Sequence, residues 1–233
     1  MDGSEGGKPA PSHTLPQAMI DVPDIRDYHR INAEVVQRLD QGIQHLKLLG
    51  AENQRLLLSR VAGSWSAIVE IEGNSGPELC AGLNAPGLRV ICQGSVADGV
   101  GSGLIEGKIL ILGHAGAGAG ICQRGGSIVV AGSTGERAGL NQSGGSLVLL
   151  GRVASLAAER QSGGTFVAAE RFLRDRPGRG RRGGRLMLLP ERMENPTDIE
   201  LVQDLLEPFR SWLESDRDLE FPWEVILKRP GSG

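Results

Sequence analysis

Glycine returns every nineteen residues through the middle of this chain. It closes a short aliphatic run at Gly94, Gly113, Gly132 and Gly151, and Gly73 stands one turn earlier at a slightly longer spacing. The pairs Gly125-Gly126, Gly144-Gly145 and Gly163-Gly164 keep the same period, with Gly183-Gly184 following at twenty. A third register runs through Gly101, Gly120 and Gly139, with Ala158 in the next slot. Three registers on one period predict a solenoid of stacked, near-identical turns. Each turn holds one short strand of aliphatic and β-branched residues, as in Ile109-Leu110-Ile111-Leu112-Gly113 and Ile128-Val129-Val130-Ala131-Gly132. A helical repeat needs more residues and few glycines, so the fold class is mainly β: a single-stranded β-helix of about nineteen residues per turn. The lattice glycines Gly73, Gly94, Gly101, Gly113, Gly120, Gly126, Gly132, Gly139, Gly145, Gly151 and Gly164 are expected at corners, where glycine supplies an unusual φ.

Stacking pairs every strand with those above and below, which leaves free edges only at the two ends, and those ends need caps. Residues 1–23 are rich in Gly, Ser and Pro, have no apolar signal-type core, and read as a flexible tail. Residues 24–66 read as a helix-hairpin lid over the first turn. Its helix, over 32–41, has Ile31, Val35 and Leu39 on one face, Asn32 as cap and Gly42 at C′. Segments 43–49 and 55–59 form its hairpin. The β-helix occupies residues 67–189. Residues 190–233 bring a capping box at Thr197-Asp198-Ile199-Glu200. An amphipathic helix with Ile199, Val202, Leu205, Leu206 and Phe209 on its apolar side follows, then a kink or restart at Pro208 and a strand over 221–228. This segment reads as a cap on the last turn or as a docking arm. It holds four of the chain's eight aromatics, Phe209, Trp212, Phe221 and Trp223, and aromatics are enriched in interface cores.

A net charge of −3 gives no global field toward nucleic acid or membrane, and no apolar run approaches the roughly 20 residues of a membrane span, so a cytoplasmic protein is expected. Cys80, Cys92 and Cys122 lie far apart without a C-x-x-C pair, which points to small buried apolar residues rather than zinc ligands or a disulfide framework.

Gly113-His114-Ala115-Gly116-Ala117-Gly118-Ala119-Gly120 follows a strand and invites comparison with a dinucleotide-binding loop. That loop needs G-x-G-x-x-G opening a helix. Here the spacing is G-x-G-x-G, another strand follows, and the period already accounts for three of the glycines. His114 reads as a corner histidine, Cys122 as a buried structural thiol, and G-x-S-x-G is absent. A hydrolase or transferase built on His114 and Cys122 is the alternative from another functional class. Hexapeptide acyltransferases also use β-helices, with aliphatic residues at every sixth position, a pattern absent here. No catalytic, metal or cofactor-binding residue is assigned.

Seven arginines, 171, 174, 176, 179, 181, 182 and 185, crowd the stretch before the last strand, interrupted by Asp175 and Pro177. This reads as a solvated insertion between two turns. Arg174, Arg176, Arg179, Arg181 and Arg182, with Trp212 and Trp223, are the candidate partner contacts.

The motifs Ile31-Asn32, Ile71-Glu72-Gly73-Asn74-Ser75-Gly76, Asp98-Gly99-Val100-Gly101 and Gly107-Lys108-Ile109-x-Ile111-x-Gly113-His114-Ala115-Gly116 resemble those of the G-x-G-x-G domain family. So does Arg124-Gly125-Gly126-Ser127-Ile128-Val129-Val130-x-Gly132-x-x-Gly135-x-Arg137-x-Gly139. The likeness covers about residues 31–169. This family forms the C-terminal domain of the glutamate synthase large subunit and stand-alone subunits of related enzymes. The resemblance implies a right-handed β-helix with a structural role, packed beside glutaminase-like and flavin/iron-sulfur synthase-like partners. It also implies no catalytic residues or cofactor in this chain, with FMN and the iron-sulfur cluster on the partner subunits. The β-helical subunit of formylmethanofuran dehydrogenase and its formyltransferase-hydrolase counterpart share this architecture and give the second expectation. Neither pattern includes the arginine-rich stretch or the C-terminal tail. A homo-oligomer is compatible with either.

Overall fold

Nine short strands stack in chain order into one parallel sheet in the computed structural model, which describes residues 17–25, 27–189, 195–210 and 213. They are β1 (Gln17–Asp21), β2 (His45–Leu49), β3 (Ala67–Ile71), β4 (Asn84–Cys92), β5 (Glu106–Ile111), β6 (Ser127–Val130), β7 (Ser143–Leu149), β8 (Gly163–Ala169) and β9 (Arg185–Leu189). A one-turn helix, α1 (Val22–Ile25), and a longer one, α2 (Tyr28–Asp40), lie between β1 and β2, and α3 (Pro196–Leu206) follows β9. From β4 to β8 the C-terminal part of each strand pairs at a separation of nineteen, as in Arg89↔Lys108↔Ser127↔Ser146↔Thr165, register shifts set Asn84 on Glu106 and Ser143 on Gly163, and β9 follows at twenty. The β-solenoid expected from the glycine period is present.

The register sorts side chains into columns. Leu46, Val69, Val90, Ile109, Ile128, Leu147 and Phe166 form one interior column, and Leu48, Ile71, Cys92, Ile111, Val130, Leu149 and Ala168 another. Ile91, Leu110, Val129, Val148, Val167 and Met187 line the outer face, and Val202, Leu206, Phe209 and Leu213 cover it. Both faces of the strands are therefore buried, which is why the runs are continuously aliphatic rather than alternating.

The corner glycines do their work by closeness. Gly94, Gly113, Gly132 and Gly151 do not have positive φ. A Cβ on each would lie 2.4–2.6 Å from atoms of the turn below, the Gly113 carbonyl oxygen in the case of Gly132. Their amides bond along the same column, Gly113 N–H to Gly94 O at 3.1 Å and Gly132 N–H to Gly113 O at 3.0 Å. Unusual φ belongs to the other registers. Gly101, Gly120 and Gly139 (φ 62, 65 and 70°) share a left-handed column with Leu58, Cys80 and Ala158 (57, 58 and 51°). Neighbouring bulk decides which residue stands there: a Cβ on Gly101 would strike Ile128, and one on Gly139 would press on Phe166 and Leu147.

The first end differs from the expected lid. Residues 43–49 and 55–59 do not form a hairpin: β2 pairs in parallel with β1 and β3, and residues 55–60 are the left-handed corner of the first full turn. Part of the expected tail is strand β1, because Ile20 and Val22 have a buried place at the first edge. The helix begins earlier than residue 32. Asp27 caps it by accepting from the His29 N–H at 2.9 Å, and Gly42 (φ +85°) ends it as expected, with its N–H on Leu39 O and the Ile43 N–H on Arg38 O.

Ile31, Val35 and Leu39 plug the bore, and Asn32 repairs the corner beneath them. In later turns the corresponding amide bonds a carbonyl of the turn before, Cys80 N–H to Leu57 O and Gly101 N–H to Leu79 O. At Leu58 the Asn32 Oδ1 takes the place of that carbonyl at 2.8 Å, while its Nδ2 donates to Leu56 O at 3.0 Å.

The C-terminal helix does not close the other end. It is capped by Asn195, whose side chain accepts the Thr197 N–H, with Pro196 in the first turn, rather than by a box at Thr197. It lies across the outer face of the sheet, starting where Asp198 pairs with Arg185 and ending where Asp204 and Pro208 face Arg89 and Lys108. A 3₁₀ turn at Glu207–Phe209 accommodates Pro208. The expected strand over 221–228 lies outside the described residues.

Two substitutions separate closeness from φ. Gly132→Val should cost about 3 kcal/mol or more through contact with the turn below, whereas Gly103→Ala, in open space at φ +63°, should cost about 1 kcal/mol. Equal losses in thermal unfolding would show that backbone conformation, not approach, sets the glycine lattice. Asn32→Ala leaves the buried Leu58 N–H unpaired and is expected to cost about 1–3 kcal/mol. Hydrogen exchange should then rise first in residues 55–60, and uniform exchange across the stack would contradict the capping role.

Candidate functional site

Three glutamines inside the stack are bonded to neighbouring turns. Gln123, Gln142 and Gln161 are fully buried and form a ladder on the nineteen-residue period. Gln142 Nε2 donates to Gln123 Oε1 at 3.2 Å and Gln161 Nε2 to Gln142 Oε1 at 3.0 Å. Each also donates to backbone carbonyls, Gln123 to Gly125 O at 2.9 Å and Ser146 O at 3.0 Å. The sequence reading missed this ladder, although its nineteen-residue spacing matches the glycine period.

His114 joins a second ladder. Its N–H bonds Ser95 Oγ at 3.0 Å, and its Nδ1 accepts the Ser133 N–H at 2.9 Å, which places the neutral ring's proton on Nε2. The glycines around it stack on the turn below, where a Cβ on Gly116 would meet Asp98. The expectation of a corner histidine holds. Among the described residues no group of His, Cys, Asp and Glu has the arrangement of a metal site.

The arginine stretch is a turn, not an insertion. The Arg174 N–H bonds Val153 O at 3.0 Å, the Arg160 N–H bonds Arg179 O at 2.8 Å and the Arg182 N–H bonds Gln161 O at 2.8 Å, so residues 170–184 follow the same lattice with one extra residue. Three arginines have local roles. Arg171 lies over the Phe172 ring at 4.6 Å, and Arg185 pairs with Asp198 at 2.6 Å. Arg181 continues the glutamine column, donating to Gly184 O at 2.8 Å. Arg174, Arg176, Arg179 and Arg182 are exposed and form no ion pair among the described residues, with Asp175 standing between the first two. Trp212 and Trp223 lie outside the described residues.

Two further polar groupings lie on the outer face. A cleft of about 590 Å³ opens between the sheet and the end of α3, with Arg89 and Lys108 on one wall and Asp204 and Glu207 on the other. Beyond it the buried Glu70 carboxylate accepts from the Gln93 amide and meets His45 Nε2 at 2.6 Å, with Lys47 at 3.9 Å. The irregular spacing of the first turns hides the His45–Glu70 pair from a nineteen-residue reading. No helix among the described residues is long and apolar enough to cross a membrane.

The cysteines divide. Cys80 and Cys92 are buried as expected, but Cys122 is exposed, because it stands in the column of Arg60, Asn141 and Arg160, which faces solvent. Burial pushes the Cys92 thiol up to about 11, partly offset by the Gly94 amide, and pushes Cys80 higher still, with Cys92 nearby adding to the effect. Raised thiol values mean that the folded chain keeps protons the unfolded chain releases above about pH 8.5, so stability falls as pH rises from there toward 11. Cys92→Ala should flatten that alkaline slope in denaturant titrations. A thiol reagent should modify Cys122 alone in the native protein and all three after unfolding; native labelling of Cys80 or Cys92 would contradict the packing.

Comparisons with protein-family models, with curated proteins and with solved structures find no match to this chain.

Proposed function

We propose that this chain is a non-catalytic scaffolding subunit of a glutamate synthase-like amidotransferase or oxidoreductase complex in the cytoplasm. The observation that carries the reading is the use made of its chemically versatile side chains. Gln123, Gln142, Gln161 and His114 are engaged in bonds between turns, and the bore is filled by Leu, Ile, Val and Phe. A nucleophile needs a base within hydrogen-bond reach. Cys122 is the exposed thiol, while His114 spends Nδ1 on a backbone amide. Stacked rungs give long rigid faces suited to holding other subunits in fixed geometry. The sequence resemblance supplies the class of complex: glutaminase-like and flavin/iron-sulfur synthase-like partners carry the chemistry and the cofactors.

Purification of the tagged chain from its native host at low salt tests this. Co-purification of a glutaminase-like protein and an iron-sulfur flavoprotein is expected. Formyltransferase or molybdenum-enzyme subunits would move the scaffold to a one-carbon complex. A solitary chain that turns over esters or glutamine, and loses that activity in His114→Ala, would overturn it.

A further inference from the structure

The two ends of the stack are built differently. At the first, α2 plugs the bore with Ile31, Val35 and Leu39, and Asn32 supplies hydrogen bonds in place of a preceding turn. Among the described residues the last turn has no such plug. Leu173, Leu186 and Leu188 continue interior columns yet are only half-buried, whereas at the first end Ile20, in the column of Leu188, is buried and only the small Ala18, in that of Leu186, is half-buried. Among the described residues strand β9 pairs with β8 alone, so its far edge presents backbone donors and acceptors that no described strand takes up. Around this apolar centre stand Arg174, Arg176, Arg179 and Arg182. An apolar centre inside a charged rim, with an open strand edge, is the anatomy of a protein interface.

We infer that this open end is a docking surface for an acidic, extended segment of another protein, which adds a strand to β9 and sets carboxylates against the four arginines. The inference rests on the scaffold reading and gives it a contact surface. The other occupants fit less well. A second copy docked end to end about a two-fold axis would bring arginines against arginines. The chain's own residues 214–233 are tested as an occupant directly, by deletion. A nucleic acid would meet the charges but leave the apolar centre and the strand edge unused.

The experiment uses the full-length chain and a synthetic ten-residue peptide alternating glutamate and valine, with a lysine-valine peptide as control. Expected is binding of the acidic peptide alone, slowed amide exchange in β9, and at least about a tenfold weaker affinity in the fourfold variant Arg174→Gln, Arg176→Gln, Arg179→Gln and Arg182→Gln. These side chains are exposed and unbonded, so the variant's melting temperature should match the wild type. Absence of binding, or binding unaffected by the variant, would overturn the inference. So would tighter binding of a DNA duplex, a wild-type dimer that the variant abolishes, or β9 amides already slow and released by deleting residues 214–233. Repeating the host purification with the variant separates the two proposals: partners retained by the variant leave the scaffold standing and remove this surface, whereas a solitary wild-type chain removes the scaffold.

Discussion

Backbones stacked as parallel strands lie about 4.8 Å apart, and that distance governs the rest of this structure. At the strand-to-corner junction the successive turns approach so closely that a single Cβ cannot be placed, which fixes Gly94, Gly113, Gly132 and Gly151. Once the corners are fixed the register is fixed, and each residue then touches the same position of the turns above and below. Columns must be chemically compatible with themselves. The interior column can grow from Val90 to Phe166 only because the facing corner gives up its side chain at Gly101, Gly120 and Gly139. Smaller Val69 and Val90 leave space that Leu58 and Cys80 fill from the same left-handed position.

Much of this was legible in the sequence, because a spacing constraint that repeats leaves a repeating mark. What was not legible lies where the repeat is broken or where packing partners are remote. The pairing His45↔Ile68 spans more residues than a regular turn, so β2 read as half of a hairpin, and β1 is separated from it by two helices. Amphipathicity identified α3 but not its seat. Strands buried on both faces show no alternation, so nothing local marked Ile91, Leu110, Val129 and Val148 as an outer surface awaiting a cover. The arginine turn read as an insertion because charge masked its pattern, although Gly178, Gly180 and Gly184 keep their left-handed positions. At the candidate site the corner role of His114 was readable, while the exposure of Cys122 follows from its column with Arg60, Asn141 and Arg160, which its apolar character masked.

One column joins the fold to the proposed role. The residue that bonds back three positions to the left-handed corner is Val61, Leu83, Leu104, Gln123, Gln142, Gln161 and Arg181 in successive turns. Beneath α2 the column is apolar, in keeping with a bore sealed from water on that side. In the middle it turns to glutamine: Gln142 bonds the amide on either side, and all three donate to corner or strand carbonyls, which offsets their full burial. At the last turn it becomes a cation whose guanidinium still reaches the Gly184 carbonyl, while Gln161 Oε1 and Arg181 Nε have no protein partner. A buried cation is tolerated only near water or near an anion. Polarity that rises along one column toward the end without a plug among the described residues is therefore a property of the stack, independent of the exposed arginines around it. It marks the same end of the molecule as the proposed docking surface.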